Sequence, residues 1–229
     1  MPQWTTASAR ISRSMGTHMK NEPDENEALL SRAAGGDQAA LAEFWERHRK
    51  RLRQMVRLRL DRRLQGRVDP SDVLQEAYID IAERLPEYAK ARAFNPYLWL
   101  RLVTGQRLLQ IHRRHLGTAM RDAGREVSLY RGALPQASSV SLAAQLLGRF
   151  TTASQAAVRA ERQLQLQAVL NGMEPMDCEI LALRHFEELS NGEASDVLGL
   201  SKTAANNRYI RALGRLRDLL ERIPGFLDK

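Results

Sequence analysis

The chain has 229 residues, a formal net charge of +8 and a sequence pI of about 10.1. With 43% hydrophobic and 27% charged residues, its composition is that of a globular protein and argues against bulk disorder. The single cysteine, Cys178, excludes an intramolecular disulfide framework. The positive charge favours a polyanionic partner, either nucleic acid or an anionic membrane, and does not choose between them. No apolar run approaches the roughly 20 residues of a membrane span, so we expect a cytoplasmic protein, and a membrane is not among its expected partners.

The chain is predicted to be all-α, with two small helical domains joined by a flexible linker. From Glu25 onward, apolar residues recur at helical spacing, and no stretch alternates with period two. Residues 1–24 are polar and basic without the apolar core of a secretory signal, and we expect them to form a disordered extension. Residues 224–229 are interpreted as a short tail.

The first two helices are bounded by turn-forming residues. The first is predicted over Asn26–Ala34 and is stopped by Gly35 and Gly36, after which Asp37 can cap a longer second helix. The second helix has one apolar face and one strongly basic face. The apolar face consists of Leu41, Phe44, Trp45, His48, Leu52, Met55 and Val56, and the basic face of Arg49, Lys50, Arg51, Arg53, Arg57 and Arg59.

A third helix is expected to begin at Asp69 or Ser71, with Pro70 in its first turn, and to end at Pro86. Its polar face is acidic, which is unexpected in a basic protein. Such a face is either simply solvated or a docking surface for a basic protein partner. The residues of this face are Asp72, Gln75, Glu76, Asp80 and Glu83.

A fourth helix, opened by Asn95 and Pro96, is predicted to run to about His115. Aromatic residues lie near its start and cationic residues along its length. This combination suits single-stranded nucleic acid, because bases stack on rings while guanidinium groups hold phosphates. An alternative is that Trp99 belongs to the core and the arginines are merely solvated. The residues concerned are Phe94, Tyr97, Trp99, Arg101, Gln106, Arg107, Gln110, Arg113 and Arg114.

Residues 117–154 are predicted to form the linker, with a short helix near Leu142–Phe150, and helical periodicity returns over residues 155–223. Within that stretch, a short helix at Glu193–Leu198, a turn at Gly199–Ser201 and a helix from Lys202 form a helix-turn-helix pattern. The second helix can enter a major groove and contact base edges. Its predicted buried stripe is Ala205, Tyr209, Ala212, Leu213, Leu216 and Leu220, and its polar residues are Lys202, Asn206, Asn207, Arg208, Arg211 and Arg215.

Signals for catalysis are weak. No glycine-rich phosphate-binding motif is present, and His112 and His115 lack a recognisable third metal ligand. No base can be assigned to Cys178 from the sequence. We therefore expect no enzymatic activity, no metal and no cofactor.

The segment Asp69–Asp80 resembles region 2.2 of the extracytoplasmic-function sigma factors, the compact group of the sigma-70 family. In that family this helix binds the clamp helices of the largest RNA polymerase subunit. The resemblance therefore implies that polymerase is bound by Asp72, Gln75, Glu76 and Asp80.

Two further segments resemble the promoter-binding regions of that family. Phe94–Arg114 is similar to regions 2.3 and 2.4, although the family's Asn and Asp positions hold Gln106 (or Arg107) and Gln110 here. Met173–Ser190 and Glu193–Leu216 are similar to regions 4.1 and 4.2. The resemblance implies minus-ten contacts by Trp99, Arg101, Gln106, Arg107, Gln110, Arg113 and Arg114, and minus-thirty-five contacts by Ser201, Lys202, Ala205, Asn206, Asn207, Arg208 and Arg211.

The resemblance implies region 2 at residues 25–116 and region 4 at residues 155–223, with the polymerase core and promoter DNA as partners. Within the core, the clamp helices of the largest subunit and the flap of the second-largest subunit would be bound. Many members of the family are held by an anti-sigma factor, so such a partner is admitted too. Two alternatives remain open: a stand-alone helix-turn-helix regulator, and a helical nuclease or RNA-modifying enzyme that uses the acidic residues to hold Mg²⁺.

Overall fold

In the computed structural model, residues 22–92, 95–116, 134–148 and 156–223 are described, and the regular secondary structure within these ranges is helical, as predicted. A single-turn 3₁₀ helix (Arg62–Leu64) and a π-helical turn (Ala182–Phe186) accompany the α-helices. The α-helices are α1 (Glu22–Ala34), α2 (Gln38–Arg59), α3 (Pro70–Ala91), α4 (Pro96–Leu116), α5 (Ser139–Gly148), α6 (Ala156–Gly172), α7 (Pro175–Leu181), α8 (Asn191–Leu198) and α9 (Lys202–Glu221).

Several predicted features lie outside the described residues. These are most of the N-terminal extension, Phe94, residues 117–133 and 149–155 of the linker, and the C-terminal tail. Two compact units divide the chain, one of residues 1–48 and 82–93 and one of residues 49–81 and 94–229. These boundaries are set by spatial contacts, whereas the predicted domains were defined by their resemblance to functional regions. The predicted domain boundaries therefore remain a prediction.

The first unit contains α1, the start of α2 and the end of α3. The Asp37 carboxylate accepts a hydrogen bond from the Ala40 N–H at 3.0 Å, which is the predicted cap of α2. The same carboxylate pairs with Arg32 at 2.6 Å. Leu41, Phe44, Trp45 and Leu85 are buried as the periodicity predicted, and Leu29, Leu30 and Tyr88 are buried as well.

The predicted end of the third helix at Pro86 is wrong. The helix continues to Ala91 with Pro86 in its interior. A proline inside a helix costs about 3 kcal/mol, since it removes one backbone hydrogen bond and crowds the preceding turn. Tyr88 lies beyond the proline and is 6% exposed, and burying such a ring offsets much of that cost.

The second unit contains the rest of α2 and α3 together with α4 to α9. The short linker helix was predicted and is present as α5, with Leu142, Ala143 and Leu147 buried. The N–H of Ser138, just before α5, donates to the Leu58 carbonyl on α2 at 2.8 Å. At Gly105 of α4, an added Cβ would lie 1.5 Å from the Leu134 side chain, so this close approach requires glycine.

The predicted helix-turn-helix is confirmed by α8 and α9. Ser190 and Glu193 form a reciprocal capping box at the start of α8. Gly199 has φ 61°, the left-handed conformation that ends many helices, and the Ser201 hydroxyl accepts from the Ala204 N–H at 3.1 Å. The predicted buried stripe holds at Ala205, Ala212 and Leu216 but not at Leu213, which is 39% exposed.

None of the helices in the described part of the chain has the length and apolar character that crossing a membrane requires.

Candidate polymerase and nucleic-acid interface

The acidic face of α3 is only partly exposed. Asp72 and Gln75 are exposed, and the Asp72 carboxylate accepts a hydrogen bond from the Asp69 N–H at 3.2 Å in the first turn. Glu76 retains 38% of its side-chain exposure. Asp80 is only 7% exposed, so the expectation of a fully exposed acidic face is wrong at this residue.

Asp80 is buried because an arginine of α4 covers it. Arg107 Nε lies 2.8 Å from Asp80 Oδ2, and Arg107 Nη2 bonds to Asp80 Oδ1, so the pair is bidentate. Arg107 Nη1 also approaches Glu76 at 3.4 Å, and Arg114 Nη1 lies 3.9 Å from the same carboxylate. We call Asp80, Glu76, Arg107 and Arg114 the half-exposed cluster.

The residues predicted to contact the minus-ten strand are divided between the surface and the interior. Gln110, Arg113 and Arg114 are exposed in the last two turns of α4, and Gln106 is half-buried. Trp99 is 7% exposed, in agreement with the alternative that it belongs to the core. Arg101 is 3% exposed, so it cannot contact DNA in this conformation, and its assignment to an exposed surface is corrected.

Arg101 belongs to a second group of charges, which is fully enclosed. Its Nε lies 2.8 Å from Glu187 Oε2, and Glu187 Oε1 accepts from Arg59 Nη1. Arg59 also bonds to Glu179. The side chains of Arg59 and Glu187 are 0% exposed and that of Arg101 is 4% exposed. We call Arg59, Glu187 and Arg101 the buried cluster.

The buried cluster is paired but not fully hydrogen-bonded. Burial alone would raise the pKa of Glu187, but the charges of Arg101 and Arg59 outweigh it and hold that pKa below its usual range. Within the described part of the chain, Arg59 Nε and Arg101 Nη2 have no hydrogen-bond partner. Burying each of these N–H groups costs free energy that no hydrogen bond offsets. The cluster therefore specifies how the helices pack more than it adds to the free energy of unfolding.

Arg51 makes a set of weaker contacts beside the buried cluster. Arg51 of α2 donates to the carbonyl oxygens of Glu187 and Glu188, both at 3.2 Å, and approaches the Glu193 carboxylate at 3.4 Å. Its guanidinium carbon lies 3.6 Å from the centre of the Tyr97 ring, within cation–π range. Helices of the predicted minus-ten half and the predicted minus-thirty-five half are therefore in direct contact here.

The backbone before Glu187 explains how its side chain points inward. Ala182–Phe186 forms a π-helical turn, and the Glu187 N–H donates to the Ala182 carbonyl at 2.9 Å. Glu188 follows with φ 57°, a left-handed conformation unusual for a residue with a Cβ. The extra residue in the turn and the sharp reversal after it place Glu187 toward Arg59 and Arg101.

On the recognition helix α9, most predicted contact residues are exposed. These are Ser201, Lys202, Asn206, Asn207 and Arg211. Ala205 is 0% exposed, so its assignment to the DNA surface is corrected: it packs in the stripe that anchors the helix.

Arg208 is partly withdrawn from the DNA-facing surface of α9. Its Nε lies 2.9 Å from Oδ1 of Asp177, a carboxylate that is 1% exposed and also pairs with Arg215. The pair therefore holds α9 on α7.

The remaining titratable candidates have structural environments. His112 Nε2 accepts from the Asp61 N–H at 3.2 Å, and burial lowers the pKa of this histidine. Burial raises the pKa of the Cys178 thiol to about 11, which leaves it unreactive near neutral pH. Within the described ranges, no three His, Cys, Asp or Glu side chains converge as a metal site would require.

Sequence reasoning missed the buried cluster. Arg59 was placed on the basic face of the second helix, and Glu187 received no role. The two residues are separated by more than half the chain, so no local pattern links them. The one local signal was that Glu187 directly follows Phe186 at the end of a segment rich in apolar residues, and a carboxylate buried there would need a cationic partner.

Comparison with known proteins agrees with this architecture. Residues 163–216 match the family model described as Sigma-70, region 4. The RNA polymerase sigma factor NccH of Alcaligenes xylosoxydans xylosoxydans is 27% identical over 205 residues, which cover 87% of this chain and 97% of NccH. The structure of CnrH in complex with the cytosolic domain of CnrY shares the fold, with a TM-score of 0.51 and 21% identity over 86% of this chain and 97% of that one. The chain is therefore similar to sigma factors of the sigma-70 family, most directly over the segment that matches region 4.

Proposed function

We propose that this protein binds the RNA polymerase core and directs it to particular promoters, where it takes part in promoter melting and transcription initiation. The observation that carries the proposal is the recognition helix α9. It is capped by Ser201 and exposes Lys202, Asn206 and Asn207, within the segment that matches sigma-70 region 4. A capped helix with exposed amide and cationic side chains suits base readout in a major groove.

In this proposal, residues 25–116 act as region 2. Asp72, Gln75 and Glu76 are exposed or half-exposed on α3 and would bind the clamp helices of the largest polymerase subunit. The exposed end of α4 would hold the unpaired minus-ten strand, with Arg113 and Arg114 on its phosphates. The polymerase supplies the chemistry, so no cofactor is needed.

Residues 155–223 would act as region 4, which binds the minus-thirty-five duplex and the flap of the second-largest subunit, and residues 117–154 would connect the two regions. The two promoter elements lie about 25 base pairs apart, or roughly 85 Å along straight DNA at ~3.4 Å per base pair. Ser201 lies about 14 residues after Glu187, a span of at most about 50 Å. Glu187 contacts Arg101 at 2.8 Å, and Arg113 lies about 12 residues farther along α4, or about 18 Å at ~1.5 Å per residue. The total reach is therefore less than the separation of the two elements. The contact between the halves must therefore open before both elements are bound.

A regulatory protein partner is also proposed. The related fold of CnrH was determined in complex with the cytosolic domain of CnrY, which supports a comparable protein partner for this chain. An anti-sigma factor would be recognised as a protein that copurifies from the native host and, once purified, lowers transcription directed by this chain. A copurifying protein that leaves transcription unchanged would contradict this assignment.

Transcription in vitro with purified bacterial core polymerase tests the proposal. A library of genomic fragments is transcribed with and without the protein, and start sites are mapped. We expect discrete starts that require the protein and share two upstream elements. Binding of α9 to duplex DNA without polymerase, with no new starts and no binding to the core, would instead establish a stand-alone regulator.

The docking surface is tested separately by reversing its charge. The variant Asp72→Lys, Glu76→Lys should lose most binding to the polymerase core, because an acidic surface becomes basic. The matched control is Glu87→Lys, which changes an exposed glutamate on the same helix. Equal core binding by both variants would remove α3 from the interface.

A further inference from the structure

Asp80 differs from the other acidic residues of α3 in having no free carboxylate oxygen. Arg107 Nε bonds to Oδ2 at 2.8 Å and Arg107 Nη2 to Oδ1. The Asp80 side chain is 11% exposed, and that of Arg107 is 19% exposed. A basic residue of another protein could reach Asp80 only by displacing a bidentate, largely desolvated arginine, which is the strongest class of ion pair.

Glu76 has the opposite character. Its side chain is 38% exposed, and its contacts are longer, 3.4 Å to Arg107 Nη1 and 3.9 Å to Arg114 Nη1. Ion pairs of this exposure contribute about 0–1 kcal/mol, so Glu76 can leave them at little cost. One carboxylate of the half-exposed cluster is thus fixed, and the other can change partners.

We propose that Asp80 is a positioning residue for Arg107 and not a polymerase-docking residue, and that Glu76 is shared between docking and the DNA-facing helix. This inference rests on the proposed function. Asp80 fixes Arg107, and with it the orientation of α4 against α3. Glu76 neutralises Arg107 and Arg114 in the free protein and turns to the polymerase on docking.

The exchange of Glu76 between partners changes the net charge that α4 presents to DNA. In the free protein, two carboxylates face two guanidinium groups, so the half-exposed cluster has no net charge. When a polymerase side chain takes Glu76, Asp80 still neutralises Arg107, and the charge of Arg114 becomes available. Arg114 is 59% exposed near the end of α4, where a phosphate of the minus-ten strand can reach it. Docking on the polymerase therefore raises the affinity of α4 for the strand.

The test separates core binding from promoter opening in the full chain. For Asp80→Asn we expect core affinity within about twofold of wild type but open-complex formation reduced about tenfold, because a neutral amide cannot hold Arg107 bidentately. Asp80→Glu, which keeps the charge, should recover much of the opening. The matched control, Asp72→Asn, should show the reverse: weaker core binding, with normal opening at saturating core polymerase.

A second variant covers the case in which Asp80→Asn does not fold. Arg107→Lys keeps the positive charge but cannot form the bidentate pair, and it should show the same selective loss of opening. Core affinity for Asp80→Asn that falls as far as for Asp72→Asn would overturn the inference, as would normal opening by Arg107→Lys. If wild-type protein neither binds the core nor opens promoters, the proposed function fails and this inference fails with it.

Discussion

The buried cluster and the half-exposed cluster both consist of carboxylate and guanidinium groups, but they differ in their exposure to solvent and therefore in their roles. Glu187 lies between two arginines, and all three side chains are almost inaccessible to water. Removing the Glu187 charge therefore leaves buried guanidinium groups that water cannot solvate. Glu76 lies at the surface, and water can replace either arginine that it faces. The buried cluster therefore fixes how the two halves of the second unit meet, whereas the half-exposed cluster lets one carboxylate exchange partners at low cost.

The largest effect should come from Glu187→Gln. The change leaves Arg59 and Arg101 without their shared counter-charge, and breaking a buried pair in this way costs about 3–5 kcal/mol. Unfolding in denaturant measures this loss of free energy. Glu188→Gln, the same substitution at the exposed neighbouring residue, should stay within about 0.5 kcal/mol of wild type. Equal values for the two variants would mean that the buried cluster does not form in solution.

Replacing the whole buried cluster by apolar residues should recover most of that loss. In Arg59→Met, Arg101→Met, Glu187→Leu the buried cluster carries no charge, and such replacements are often neutral or stabilising by about 1–4 kcal/mol. Glu179 loses Arg59 as a partner, but its side chain is 18% exposed and still accepts a hydrogen bond from the Ala137 N–H. Denaturant unfolding again provides the measurement. A triple variant that is less stable than Glu187→Gln would show that the charges themselves, and not their pairing, stabilise this junction.

The half-exposed cluster should show a smaller coupling. A double-mutant cycle with Asp80→Ala and Arg107→Ala is expected to give an interaction free energy of about 1–2 kcal/mol, since residual solvent screens the pair. The same cycle for Glu76 and Arg114 should give less than about 0.5 kcal/mol. A Glu76–Arg114 coupling as large as that of Asp80–Arg107 would contradict the proposed exchange of Glu76 between partners.

The smallest effect concerns pH and tests the sign of the Glu187 shift. Because its pKa is held below the usual range, Glu187 stays ionised, and its contribution to stability persists above pH ~4.3 and is lost only as the pH falls through the lowered value. The difference in melting temperature between wild type and Glu187→Gln should therefore be constant from pH 7.5 to about 5. A difference that disappears near pH 6 would mean that burial, and not the arginines, controls this pKa.

The sequence predicted what depends on local periodicity and capping. The apolar face of α2, the Asp37 cap and the α8–turn–α9 unit follow from spacing within a few residues. What it could not predict depends on contacts distant in the sequence. Tyr88 keeps α3 helical past Pro86, and Arg59 is buried because Glu187 neutralises it.

The same limit explains which predicted site residues changed. Arg101, Asp80 and Ala205 were assigned from their positions in matching motifs, which show the face of a helix but not what covers it. Lys202, Asn206 and Arg113, which none of the described residues covers, are exposed as expected. Whether a residue at a motif position is exposed can therefore be determined only from the tertiary structure.

In the proposed function, this chain opens its buried contact to bind two promoter elements on the polymerase. The direct measurement is energy transfer between dyes on cysteines introduced at the exposed residues Arg62 and Glu221, in a chain carrying Cys178→Ser. We expect high transfer in the free protein and a large decrease in the complex with core polymerase and promoter DNA, as the elements lie roughly 85 Å apart. Unchanged transfer in a complex that initiates transcription would contradict the account.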